Sequence, residues 1–98
     1  MEVACTNPAK IFGMFPRKGT IAPGSDADIV LLDPAKKHTL SASTHHMNVD
    51  YSAYEGRELT GKVRTVLLRG TVAIDNGKCL VDKGYGQFIQ RKKVSDKI

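Results

Sequence analysis

Residues 63–81 hold apolar runs separated by two-residue turn signals, and no other stretch restricts the fold as tightly. Asn76-Gly77 is the strongest short-range hairpin signal, because both central positions of the tight hairpin turn need positive φ. Val63 to Leu68 reads as one strand, Arg69-Gly70 as a two-residue turn and Thr71 to Asp75 as the returning strand. Lys78 to Val81 then completes a three-stranded meander. Val66, Leu67 and Leu68 are consecutive and all apolar. Neighbours along a strand point to opposite faces, so this strand asks for cover on both.

Upstream, Glu2 to Cys5 reads as the end of a helix. Thr6-Asn7-Pro8 reads as a new start, with Asn7 as N-cap and Pro8 at the first helical position. Gly13 suits the left-handed residue that closes a helix. Ala22-Pro23-Gly24-Ser25 places proline and glycine at the centre of a type II turn. Ile29-Val30-Leu31-Leu32 then suits a strand buried on both faces, which Pro34 is expected to stop by removing a ladder donor. A weaker strand follows over Thr39 to Ala42, and residues 43–56 form a long loop without periodicity. Gly84-Tyr85-Gly86 ends the sheet, and Gln87 to Ile98 reads as an extended or weakly helical tail. The total is about five short strands and one short helix. That leaves sheet edges unpaired and implies that partner strands lie elsewhere.

Ninety-eight residues without tryptophan, with three Phe and three Tyr, supply a small core of Val, Ile, Leu and Ala. The formal net charge is +5, of which residues 83–98 carry +4. The body is therefore nearly neutral, and no basic stripe with interleaved aromatics marks a nucleic-acid surface. No apolar stretch approaches the roughly 18–20 residues of a membrane span. The N-terminus lacks the basic and apolar regions of a signal peptide. It opens directly into helix-forming sequence, as a chain cut from a larger protein would. Cys5 and Cys79 have no metal-like spacing and are expected as reduced thiols in a cytoplasmic protein.

Each candidate for chemistry has a structural explanation. Adjacent His45 and His46, near Asp50, point to opposite sides of an extended chain and belong to no metal motif, so they read as loop-packing residues. His38, beside Lys36 and Lys37, reads as exposed. Asp26 and Asp28 share a strand face, but a carboxylate leaving a turn usually binds backbone N–H groups. Ser41, Ser43 and Thr44 stand near His45 without a nucleophile elbow. Cys5 has no base close in sequence. The nine glycines punctuate turns and form no phosphate-binding pattern. Residue by residue, no catalytic, cofactor-binding or metal residue is assigned.

Several stretches together resemble one family. Residues 6–13, Thr-Asn-Pro-Ala-Lys-Ile-Phe-Gly, are similar to the passage leaving the last barrel helix of hydantoinases and dihydropyrimidinases. Lys18-Gly19-Thr20-Ile21, residues 24–30 (Gly-Ser-Asp-Ala-Asp-Ile-Val) and Asp33-Pro34 resemble the strand that re-enters their small β-sandwich, a pattern shared across metal-dependent amidohydrolases. Residues 44–51, Thr-His-His-Met-Asn-Val-Asp-Tyr, with Tyr54-Glu55-Gly56 and Gly84-Tyr85-Gly86-Gln87-Phe88, narrow this to the hydantoinase and dihydropyrimidinase branch.

The resemblance implies a mainly β chain that forms part of the small β-sandwich domain, preceded by a short helical remnant of the (β/α)8 barrel. Residues 1–15 would be the end of the barrel helix and its connection, 16–83 the sandwich segment with loop 43–56, and 84–98 a basic C-terminal tail. Relatives open cyclic amides, hydantoins and dihydropyrimidines, with two zinc ions held in the barrel, upstream of the residues present here. No ligand or catalytic residue is carried over, so the chain alone is expected to be inactive and without a cofactor. Its implied partners are the N-terminal strands and barrel of the same enzyme, and a neighbouring subunit met by residues 84–93. The competing expectation is a non-catalytic module, like the hydantoinase-like assembly proteins of neuronal signalling. A free-standing truncated product without activity is a third.

Overall fold

A computed structural model describes residues 1–93. The expected tail therefore divides, and residues 94–98 lie outside the described residues. The chain begins with a π-type helical turn, Glu2–Thr6, that runs directly into the short α-helix α1, Asn7–Ile11. The expected new start at Asn7 is thus corrected. Asn7 has helical φ −65° and ψ −45°, Thr6 occupies the cap position, and neither side chain caps the turn. The widened turn has a cause in Pro8, whose ring would crowd the carbonyl four residues back in a regular α-helix and which donates no N–H. The other end follows the sequence reading. Gly13 has φ +71°, its N–H bonds the Lys10 carbonyl at 3.2 Å, and Met14 N–H bonds the Ala9 carbonyl at 2.8 Å. That pair of bonds is the Schellman closure.

Four strands form one antiparallel sheet in the order β1-β2-β3-β4: β1 Ile29–Thr39, β2 Glu58–Leu68, β3 Thr71–Asp75 and β4 Lys78–Cys79. All three turn signals behave as expected. Ser25 N–H bonds the Ala22 carbonyl at 3.1 Å, with Gly24 at φ +88°. Arg69-Gly70 (φ 48° and 82°) joins β2 to β3, and Asn76-Gly77 (φ 47° and 81°) joins β3 to β4.

Pro34 does not stop β1. Pairing with β2 runs from Ile29 opposite Leu67 to Leu31 opposite Thr65, slips by one residue to Leu32 opposite Val63, and after Asp33 opposite Lys62 shifts again before resuming at Lys37 opposite Thr60. Pro34 falls in this irregularity, where no ladder bond is required of it, and the Asp33 carboxylate accepts the Ala35 N–H at 3.0 Å. Gly61, at φ +103°, sits across from the bulge. β1 consequently extends to Thr39, and the separate strand expected over Thr39 to Ala42 is replaced by a 3₁₀ turn, Ala42–Thr44. β2 begins at Glu58, ahead of the expected Val63, while β4 stops at Cys79, short of Val81. The five expected strands are four among the described residues. Residues 41–55 form a closed excursion, because Leu40 N–H bonds the Arg57 carbonyl at 2.9 Å and Gly56 N–H bonds the Leu40 carbonyl at 2.8 Å.

Burial is shallow. Ala9 and Ala73 are the buried apolar residues among those described, at 4% and 8% exposure. The run expected to be buried on both faces is half open, with Val30 at 58%, Leu31 at 50% and Leu32 at 60%. Beyond Gly86 the chain has no regular secondary structure and returns to the end of α1, where Lys92 N–H bonds the Gly13 carbonyl at 2.9 Å. A Cβ on Gly13 would collide with the Lys92 carbonyl.

Candidate functional site

The densest polar cluster is formed where the segment after α1 meets the β2–β3 turn and the start of the tail. Lys18 and Asp26 approach at 2.9 Å, Arg17 Nε donates to Asp26 at 3.0 Å, and Lys18 also donates to Asp28. The other Asp28 oxygen accepts the Arg69 N–H at 2.9 Å. Arg69 in turn donates to the Tyr85 carbonyl at 2.8 Å and lies over the Tyr85 ring, 4.7 Å from its centre. The Tyr85 hydroxyl donates to Thr71 Oγ1 at 2.8 Å. Alternation along an extended chain puts Asp26 and Asp28 on one side, and the β2–β3 turn brings the Arg69 N–H within reach. The pair thus anchors backbone and cations, the structural role that its position after a turn suggested. What sequence reasoning missed was Arg69. Its only signal was a place in a turn, and the link to Tyr85 arises from folding alone.

Charge balance in this cluster makes the fold sensitive to pH. The Lys18 hydrogen bond is the largest influence on Asp26 and holds its carboxyl below the usual range, with Arg17 adding to it. Burial pushes Asp28 upward, but hydrogen bonds from Lys18 and the Arg69 N–H together outweigh it and leave this carboxyl lowered as well. Burial pulls Lys18 down, yet bonding to Asp28 and Asp26 leaves it raised. A carboxyl depressed in the folded state stabilises fully above its unfolded pKa, about 3.9, and loses that contribution as pH falls through the folded value. Lys18 does the converse, its contribution being lost only as pH climbs through its raised folded value. The urea midpoint should therefore drop below about pH 4, and Asp28→Asn should flatten that acid limb. An equally steep limb in the variant would show that Asp28 does not contribute to it.

The other candidates do not converge on chemistry. His45 is half-buried and His46 exposed, and Asp50 is exposed in the same excursion. His38 is half-buried, which corrects the expectation of an exposed ring, and Nδ1 of both His38 and His45 is enclosed without a hydrogen-bond partner. Ser41, Ser43 and Thr44 bond one another locally. Ser41 and Ser43 hydroxyls lie 2.8 Å apart, and the Thr44 hydroxyl donates to the Ser41 carbonyl at 3.0 Å. Glu55 closes this turn by accepting the Ala42 N–H at 2.7 Å, and that bond, with one from Ser41, lowers its carboxyl. Cys5 and Cys79 are free and exposed. Among the described residues no three His, Cys, Asp or Glu side chains stand close enough to share a metal ion, so the zinc pair implied by the resemblance has no fitting donor set in them. No helix of the described residues is long and apolar enough to cross a membrane.

Comparison with known proteins places the chain in a family. Residues 1–73 match the amidohydrolase family. The chain is 55% identical over 91 residues to a D-hydantoinase of Streptomyces coelicolor, covering 93% of this chain and 20% of that protein. It is 44% identical over 96 residues to the dihydropyrimidinase of Rattus norvegicus, covering 98% of this chain and 18% of the relative. The crystal structure of D-hydantoinase from Bacillus sp. AR9 superposes with a TM-score of 0.87 at 53% identity, over 94% of this chain and 20% of that one. The chain thus spans about a fifth of the length of the relatives it matches. On the family match and these identities, it belongs to the amidohydrolase family, on the branch of the hydantoinases and dihydropyrimidinases.

Proposed function

We propose that this chain serves as the C-terminal β-domain portion of a hydantoinase- or dihydropyrimidinase-type zinc hydrolase that opens cyclic amides, and that its role is structural and in assembly. The observation that carries this reading is the match itself: nearly the whole chain aligns at 55% identity to one fifth of a D-hydantoinase. In this reading the ring-opening residues and both zinc sites lie outside the chain. The sheet forms half of a β-sandwich completed by N-terminal strands, and the helical segment before Gly13 is the last piece of a barrel. Exposed Val30, Leu31 and Leu32 support that view, since apolar strand residues half open to water gain from a second layer. Residues 84–93 would meet a neighbouring subunit. In support, Phe88 is 93% exposed beside Arg91, Lys92 and Lys93, and its backbone is tied down on either side by Tyr85 and Lys92.

The purified chain should hydrolyse neither hydantoin nor dihydrouracil, and should retain no stoichiometric zinc after dialysis. Ring opening is followed by the loss of ultraviolet absorbance, and metal by elemental analysis. Turnover abolished by a chelator, or one zinc per chain surviving dialysis, would sink the proposal.

A further inference from the structure

Between the Ala42–Thr44 turn and the sheet lies an open groove of about 710 Å³. Its apolar side is aliphatic, from Val63, Val66 and Ile74, and its polar side carries His38, His45, His46 and Lys62. Among the described residues no carboxylate lines it. Glu55 is near enough to His45 for their charges to interact, but its carboxylate already accepts from the Ala42 N–H and from Ser41. In both His38 and His45, Nδ1 is enclosed and unpartnered. A buried N–H without an acceptor is the rarer and costlier arrangement, so the enclosed Nδ1 places the ring's donor N–H at Nε2. The two imidazoles and the Lys62 ammonium are thereby all donors, set beside an aliphatic surface.

We infer that this groove seats a segment of the remaining hydantoinase-type polypeptide that combines aliphatic side chains with a carboxylate accepting from His38, His45 and Lys62. The inference rests on the proposed function, because four fifths of the relatives' length has no counterpart here and supplies the occupant. It goes further in what it demands of that occupant. An all-apolar strand would bury the imidazole donors without acceptors, at a cost that a carboxylate avoids. A hydrogen bond between an uncharged donor and a carboxylate also exceeds a neutral pair in strength.

The test mixes the full 98-residue chain with the N-terminal four fifths of the Streptomyces coelicolor D-hydantoinase, co-refolded from urea, and measures the dissociation constant by titration. His38→Phe and His45→Phe should each weaken binding about tenfold, the loss expected for a hydrogen bond to a charged group. His38→Gln and His45→Gln, whose amides also donate, should recover most of it. The Gln variants keep the comparison valid where a Phe variant loses its sheet signal in circular dichroism. Binding unchanged across all four variants overturns the inference and leaves the proposed function standing. Failure of the unmodified chain to bind overturns the proposed function, and the inference with it.

Discussion

Gly19→Ala should cost the chain roughly 2–4 kcal/mol. A Cβ at position 19 would lie 2.5 Å from the Ala9 Cβ and 2.8 Å from the Cys5 carbonyl, and φ there is +87°. Neither neighbour can swing aside. Ala9 is one of the two buried apolar residues among those described, and the Cys5 carbonyl belongs to the helical backbone. Gly19 also receives the Thr6 hydroxyl on its own carbonyl at 2.7 Å, so displacing it breaks the bond that ties the first helical turn to the following segment. Gly24→Ala separates the two causes. Its φ is +88° but nothing lies within 4 Å of the added methyl, so only the backbone strain of about 1 kcal/mol should appear. Urea unfolding of both variants measures the difference, and amide exchange at Met14 and Phe15, which bond the Ala9 carbonyl at 2.8 and 3.0 Å, locates it. Equal losses in the two variants would mean that contact with α1 is unimportant.

The second large effect concerns the chain and its complement. Alone, it holds its sheet with few buried side chains, so a low, broad thermal transition and self-association are expected. A partner that binds only the folded form stabilises it by mass action, about 2.7 kcal/mol at a hundredfold excess over the dissociation constant. For a domain of this size each kcal/mol raises the melting temperature by roughly 4–8 °C, so the complementary N-terminal polypeptide should raise it by about 10–20 °C. Size exclusion should show self-associated species giving way to a defined complex. A sharply melting monomer indifferent to the complement would identify a self-sufficient domain.

What the sequence showed most clearly was local. Ala22-Pro23-Gly24-Ser25, Arg69-Gly70 and Asn76-Gly77 adopt their expected turns, because each holds a glycine, to which positive φ costs nothing. Strand limits were harder to read, since they depend on pairing. Glu58 to Lys62 join β2 only because β1 continues opposite them, and β1 continues only because a bulge excuses Pro34 from the ladder. Asn7 looked like a cap, but the chain before it was already helical and the turn widened ahead of Pro8. Asp26 and Asp28 make the anchoring contacts that a place after a turn suggests, whereas their connection through Arg69 to Tyr85 joins residues far apart in the chain. The proximity of His38 and His45 in one groove has the same origin, in a backbone excursion that brings its two ends together.

The bulge at Pro34 has a consequence for how this chain can go wrong. β1 is an outer strand of the sheet, and an unpaired strand edge is a template for fibrillar growth. Past Asp33 the template is spoiled by proline and the irregular register, with Lys36 and Lys37 adding charge. Ahead of it the pairing is unbroken only from Ile29 to Leu31, a run that holds the exposed Val30 and Leu31. On this edge, recruitment of further molecules is thereby confined to a three-residue window, shorter than the six or seven residues of a typical steric zipper. A single lysine at Leu31 would place a charge in that window and act as a gatekeeper.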